Sequence, residues 1–519
     1  MSERTRRFLK NGLSMAVAAL LMRTVSVSFG AYVSGEIGAE GMGLYSLIMS
    51  IYTLAVTLAT SGVQLATTRL VAEALGRREE REAHAALRVS LLYALLFGTA
   101  AALLLFGGAR FFGERLLGDA RTVPALRLLS LALVPVALSS VFSGYFTAVR
   151  RPSRSAAVSV LEQAVRILLT VWALGALLPR GMTYACLALV GGSAIAEILS
   201  ALCQGVLCLL DSRRLRRVRA GRLPVRGLLS ITLPIAASSY VRSGLVSAEH
   251  MLIPRALTGG GASREEALTS YGTLSGMALP IALYPMAVLS AFAGLLVPEF
   301  AEGAARGEGE ANRRLCERTL TLTLWFGLLA GGVMAAYAVP LSEAVYGSRE
   351  AGRYLALLAP VIPVMYLDHV TDVMLKGLGR QVYAMGVNIL DSAGSILLVL
   401  LLLPQLGAVG YVYVILIAEI FNFALSLTGL HGALRFRFPI LRGVLMPTAA
   451  ILPAVTLARR LLPPTSLPAM LGSILLSLLL AASLLAGALA LFEKKVPKKK
   501  KASSKPLDKC VSFGYNKAI

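Results

Sequence analysis

Apolar stretches of roughly 18 to 27 residues, each nearly free of charge, recur along the whole 519-residue chain, and a bilayer core takes about 20 residues of helix. A polypeptide built this way has few options, because lipid offers no partner for an unpaired backbone group. The stretches predict fourteen spans, near residues 11–34, 43–68, 87–108, 124–148, 156–178, 183–210, 228–253, 270–298, 317–339, 353–375, 384–404, 408–430, 441–459 and 468–492. The first is too long for a signal-peptide core and reads as a retained helix. With 56% hydrophobic and only 15% charged residues, against about 25% charged in soluble chains, a soluble enzyme, a secreted disulfide scaffold and a disordered chain are excluded. Five scattered cysteines show no metal-type spacing and read as small apolar fillers plus one tail thiol.

The net charge of +23 would suit nucleic acid, but the basic residues lie between apolar blocks rather than on one folded face. They read instead as an orientation signal. With the N-terminus cytoplasmic, 37 of the 51 Lys and Arg fall in inside segments and 11 in outside ones. Both termini are therefore expected in the cytoplasm. The Lys-rich stretch from Lys494 onward is expected to act as an anchor attracted to anionic lipid.

The chain also resembles itself at an offset near 229 residues. Ala72-Glu73 with Arg77 matches Ala301-Glu302 with Arg306, and Leu161-Glu162 with Ile167 to Leu169 matches Leu390-Asp391 with Ile396 to Leu398. Pro135-Val136 matches Pro363-Val364, and Ile195 to Ile198 matches Ile417 to Ile420. Six spans per repeat make a parallel pair, the arrangement that supports rocking of two bundles about a midplane site. The expected organisation is a cytoplasmic N-terminus (1–10), a first lobe (11–210) and a basic linker (211–227). A second lobe (228–430), an appended helix pair (441–492) and a basic tail (493–519) follow. This is an all-α polytopic membrane protein, a transporter rather than an enzyme.

Three arginines remain inside the spans: Arg23, Arg166 and Arg242. A midplane arginine is costly and must face protein or water, and it keeps its charge and can fork onto phosphate oxygens. The three together suit an anionic, phosphate-bearing substrate. Glu162 stands one turn before Arg166 and Glu249 two turns after Arg242, so pairing within the helix is the alternative for both. Arg23 has no acid in its own span. Asn388 and Asp391 share a helix face with Ser395 and offer oxygen ligands for a coupling Na⁺ or H⁺, with helix-packing hydrogen bonds as the alternative. The other intramembrane acids are Glu197, Glu419, Asp368 and Asp372, the last two in line with Lys376. No nucleotide-binding pattern is present, so no nucleotide is expected to drive transport.

Gly38-Ala39-Glu40-Gly41-Met42-Gly43-Leu44-Tyr45, Ser61-Gly62 and Arg69 to Glu73 resemble the second-helix region of polysaccharide-biosynthesis flippases. Leu233-Pro234-Ile235, Ile253-Pro254 and Val297-Pro298-Glu299 extend the resemblance to the stage V sporulation protein B branch. That branch is related to MurJ-type lipid II flippases in the multidrug/oligosaccharidyl-lipid/polysaccharide (MOP) exporter superfamily. The resemblance implies a V-shaped pair of six-helix lobes with alternating access and a cationic cavity for a pyrophosphate–sugar head. It also implies a groove for the lipid tail on the last two helices, makes Arg23 a cavity residue, and lets Asn388, Asp391 and Glu419 correspond to a cation site that some lipid II flippases carry. Two departures stand out. Residues 270–298 contain no basic residue, and the usual Pro-rich, Ser-Lys second-helix motif reads Val63-Gln64 and Thr67-Thr68-Arg69. The expected function is translocation of an undecaprenyl-pyrophosphate-linked glycan for peptidoglycan, spore cortex or polysaccharide synthesis. Its partners would be membrane lipid and that glycan, with cell-wall synthesis enzymes nearby and the chain itself a monomer. The alternative is a cation-coupled multidrug exporter.

Overall fold

A computed structural model describes residues 3–212, 224–436 and 441–495. Most of the basic linker and nearly all of the basic tail lie outside these residues. The described chain is helical, with no strand among the described residues. In chain order the helices are α1 (Glu3–Thr60), α2 (Val63–Gly76), α3 (Glu80–Arg110), α4 (Val123–Ser130), α5 (Leu133–Ala148), α6 (Pro152–Leu177) and α7 (Met182–Asp211). The second half holds α8 (Val225–Gly259), α9 (Arg264–Gly272), α10 (Leu279–Ala282), α11 (Met286–Ala305), α12 (Gly309–Tyr346) and α13 (Arg349–Leu358). It continues with α14 (Ile362–Gly377), α15 (Gln381–Leu434), α16 (Met446–Leu461) and α17 (Leu467–Lys495).

Among the described residues nine helices are long and apolar enough to cross a membrane, or eleven if each of two bent pairs forms one span. The difference from fourteen has identifiable origins. Two loops expected from the sequence are not loops: α1 runs through Gly38 and α15 through Gly407, each a single non-helical residue between two helical stretches. Their φ values of 69° and 61° belong to the region only glycine enters without strain, so one residue replaces a turn. The remaining expected span, 228–253, lies within α8, which is not among those nine helices. The bent pairs are α4 with α5, at 44°, and α13 with α14, at 61°.

The halves share a backbone plan. Positive φ recurs at Arg78 and Gly307, Gly118 and Gly347, and Arg150 and Gly379, each pair 229 residues apart. The two bent helix pairs occupy corresponding places in the two halves.

On α1, Leu44, Leu47, Ile48, Ile51 and Ala55 are buried, a 3–4 residue spacing that marks one face of a helix. Lipid tails are as apolar as leucine, so close fit rather than exclusion of water holds such helices together. The last two helices pack on each other and on α12. There Tyr337 Oη shares hydrogen bonds with Ser473 Oγ (2.6 Å) and Ser477 Oγ (3.1 Å).

The Gly38 hinge is open to substitution on steric grounds, since a Cβ there would meet nothing within 4 Å. Gly38→Ala is therefore expected to cost about 1–3 kcal/mol through backbone strain alone, read as a lower melting temperature in detergent. Gly35→Ala, equally uncrowded but helical, should leave the melting temperature unchanged or raise it.

Candidate functional site: a hydroxyl-lined cavity

Opposite its buried face, α1 presents Ser46, Ser50, Thr53, Thr57 and Thr60 at helical spacing, and Ser61 follows in the turn just past its end. Facing them, α8 presents Ser239, Arg242, Ser243, Val246, Ser247 and His250. Between the two helices lies a cavity of about 710 Å³, closed on one side by Tyr271 and Ser275. The threonines of α1 turn their protons back into the helix: Thr53, Thr57 and Thr60 donate to the carbonyls of Met49, Thr53 and Val56 at 2.8 Å. The lone pairs of those hydroxyls are left to accept from whatever enters. Across the gap Ser243 Oγ donates to Thr57 Oγ1 (3.2 Å) and Ser247 Oγ to the Ser50 carbonyl (3.0 Å). His250 Nδ1 is 2.9 Å from Tyr271 Oη.

Arg242 is the single guanidinium lining this cavity, and none of the lining side chains is acidic. Among the described residues it forms no hydrogen bond or ion pair, and it is exposed. The helical alternative for Arg242, pairing with Glu249, is therefore not the arrangement adopted.

The other two arginines are placed differently. Arg166 Nη2 is 2.7 Å from Glu162 Oε1 and 3.9 Å from Glu197 Oε1, and Tyr52 Oη donates to Glu197. Arg166 thus takes the pairing alternative and closes a half-buried network among α1, α6 and α7. Arg23 leaves its own helix to reach the second half, where Nη2 donates to the Pro280 carbonyl at 3.3 Å. That carbonyl is free because the chain tightens there: the Tyr284 N–H donates to Ile281 instead. Beside it Thr24 Oγ1 and Tyr284 Oη are 2.8 Å apart. Arg23 therefore joins the halves and is not among the residues lining the cavity.

In the second half Glu249, Asp368, Asp391 and Glu419 come from α8, α14 and α15 into mutual electrostatic reach, with Arg242 also felt by Asp368 and Asp391. Asp372 instead pairs with Lys376 at 2.6 Å. Asn388 spends its amide proton on the Ala384 carbonyl (2.8 Å). Asp368 Oδ1, Asp391 Oδ1 and Asn422 Oδ1 are buried without a hydrogen-bond partner. The described residues form no group of three or more His, Cys, Asp or Glu at metal-binding spacing.

The hydroxyl wall was not among the residues singled out from the sequence. Its signal is the Ser/Thr recurrence every three or four residues from Ser46 to Ser61, matched from Ser239 to Ser247.

A family model described as "Polysaccharide biosynthesis protein" matches residues 8–304. The chain belongs to that family. Stage V sporulation protein B of Bacillus subtilis (strain 168) is 26% identical over 411 residues, 78% of this chain and 79% of that protein. Sporulation protein YkvU of the same organism is 24% identical over 365 residues, 68% of this chain and 79% of that one. Among solved structures, an inward-facing multidrug resistance MATE family transporter of the MOP superfamily superposes with a TM-score of 0.66 at 15% identity. The match covers 81% of this chain and 98% of that one. A MOP superfamily transporter from Pyrococcus furiosus, described as having a binding pocket of reversed polarity, gives 0.58 at 13% identity, covering 83% and 96%. This member of the polysaccharide biosynthesis family has a MATE-like helical fold built from many helices long and apolar enough to cross a membrane.

The placement separates a structural arginine from an unpaired one. Arg166→Ala leaves Glu162 and Glu197 without their cation and should cost about 2 kcal/mol, less than a fully buried pair because the site is partly open. Arg242→Ala should leave the melting temperature unchanged. Thermal unfolding of the purified variants in detergent measures both.

Proposed function

We propose that this transporter is a flippase that carries an undecaprenyl-pyrophosphate-linked glycan, lipid II or a close relative, across the cytoplasmic membrane by alternating access. The observation that carries this reading is the cavity itself: one unpaired arginine in a wall of hydroxyl oxygens, with no carboxylate. Arg242 suits a phosphate oxygen, and the outward lone pairs of Thr53, Thr57 and Thr60 suit sugar hydroxyls and amide protons. A cationic drug would find neither a counter-charge nor an aromatic box on these walls, which weighs against the multidrug alternative. The names of the sporulation relatives support a role in spore or cell-wall assembly, and the pair α16 and α17 offers the natural place for a lipid tail. Orientation with both termini cytoplasmic follows from the loop charges, and nothing in the site asks for a second copy of the chain.

The driving ion belongs to the same proposal. Glu162 and Glu197 correspond in the repeat to Asp391 and Glu419, and Arg166 corresponds to Ser395. The first half thus carries a cation paired with its carboxylates, and the second half has the carboxylates with Arg242 in electrostatic reach but no ion pair. A Na⁺ or a proton at Asp391 and Glu419 would supply the missing charge, with Asn388 nearby as an oxygen ligand.

In proteoliposomes loaded with fluorescent lipid II, wild-type protein should translocate the lipid, and Arg242→Ala should lose at least about ten-fold in rate, the change that 1.4 kcal/mol of binding makes. Full activity of that variant removes the site assignment, and gradient-driven efflux of cationic dyes without lipid II movement favours the exporter. Imposed Na⁺ and pH gradients, compared in wild type and Asp391→Asn, identify the ion: the effective gradient should lose its effect in the variant.

A further inference from the structure

Near one end of the molecule, charges that the site above does not use bridge the two halves. The loop after α3 brings Asp119 into a buried position, where its carboxylate takes Arg121 through the guanidinium (2.8 Å) and the backbone N–H (2.9 Å). Arg121 reaches on to Glu40 of α1 at 2.9 Å. From the other half, Arg264 at the start of α9 donates to the Leu117 carbonyl at 2.7 Å and lies 3.9 Å from Asp119. Arg255, near the end of α8, donates to the Arg115 carbonyl. Burial alone would raise the Asp119 carboxyl, but the bonds from Arg121 outweigh it and hold the group below its ordinary value, so it is charged at neutral pH.

Beside these contacts the helices meet backbone to backbone. A methyl group at Gly43 of α1 would stand 2.2 Å from the Leu268 carbonyl oxygen, and one at Gly272 of α9 would stand 2.0 Å from the Ala39 oxygen.

Two comparisons argue that the charges serve closure rather than local structure. The repeat partner of Asp119 is Ser348, which caps α13 by accepting from the Ala351 N–H at 3.1 Å, while Asp119 accepts from the Arg121 N–H in the same way. Serine and aspartate cap equally well, so capping does not require the charge. Arg264, in turn, occupies the first turn of a helix, where the dipole disfavours a cation. The capping box of Ser263 and Glu266 already satisfies that helix start.

We propose that Asp119, Arg121 and Glu40 on one half and Arg264 on the other form a latch that holds this end of the transport path closed. The loop charges place this end on the outer face. The latch releases when substrate is delivered there and re-forms on the return. It rests on the alternating-access reading above.

The test uses full-length protein in nanodiscs, with the native cysteines replaced and spin labels at E114C and E265C, exposed positions flanking the contact. Double electron–electron resonance should give a short distance in the parent. Asp119→Ser, which keeps the cap used by the other half, and Arg264→Ala should each raise the long-distance fraction relative to the short one by about ten-fold. The double variant should do no more than the single ones. Unchanged distances in both single variants, or additive effects in the double, overturn the latch. The measurement needs no substrate, so a failure of the lipid II reading leaves it interpretable, and a melting scan of each variant separates opening from unfolding.

Discussion

Everything in this protein follows from the rule that a backbone group in lipid must find its partner inside the protein. It makes each apolar block a helix, and it confines every departure from helix to places where another part of the chain is at hand. The Pro280 to Tyr284 break is such a place. The chain tightens, one carbonyl is released, and the Arg23 guanidinium from the opposite half takes it. An arginine that would be costly in lipid and a carbonyl that would be costly unpaired resolve each other, and in doing so they tie the two halves together. Gly38 and Gly407 obey the same rule by changing direction within a single residue, which leaves the fewest groups to be satisfied.

The duplicated plan matters most where it is broken. Corresponding carboxylates stand on α6 and α7 in the first half and on α15 in the second, yet only the first pair has an arginine between them. The first becomes a fixed strut that holds Tyr52 behind the cavity wall. In the second, Asp391 keeps one carboxylate oxygen buried without a hydrogen-bond partner. The loops before α4 and α13 tell the same story: a serine cap in one half is an aspartate in the other, and the added charge reaches across to α9. Asymmetry imposed on a repeated scaffold is how two similar halves acquire different work.

Much of this was legible beforehand. The expected spans lie mostly on helix, with turns at 61–62, 131–132, 283–285 and 359–361 breaking four of them, and the repeat offset of 229 reappears in backbone angles that no residue pattern displays, since Arg78 and Arg150 adopt conformations their partners leave to Gly307 and Gly379. The expected loops between the first two and between the eleventh and twelfth spans were misjudged, because hydropathy records where apolar character lapses and not whether the lapse is a turn or a hinge. The hydroxyl face escaped notice for a related reason. Serine and threonine are ordinary in membrane helices, and only the position of α8 opposite α1 makes their recurrence a wall.

Length, apolar periodicity and charge asymmetry by themselves determined that the chain is a helical, duplicated membrane protein with three arginines out of place. Those properties are local or additive along the chain. Which arginine is unpaired was decided only in three dimensions, since Arg166 adds Glu197 on another helix to the Glu162 of its own, Arg23 finds a carbonyl 257 residues away, and Arg242 forms no ion pair and is felt by Asp368 and Asp391 only through space. Coulomb energy and hydrogen bonding depend on separation in space, and the packing of helices sets that separation.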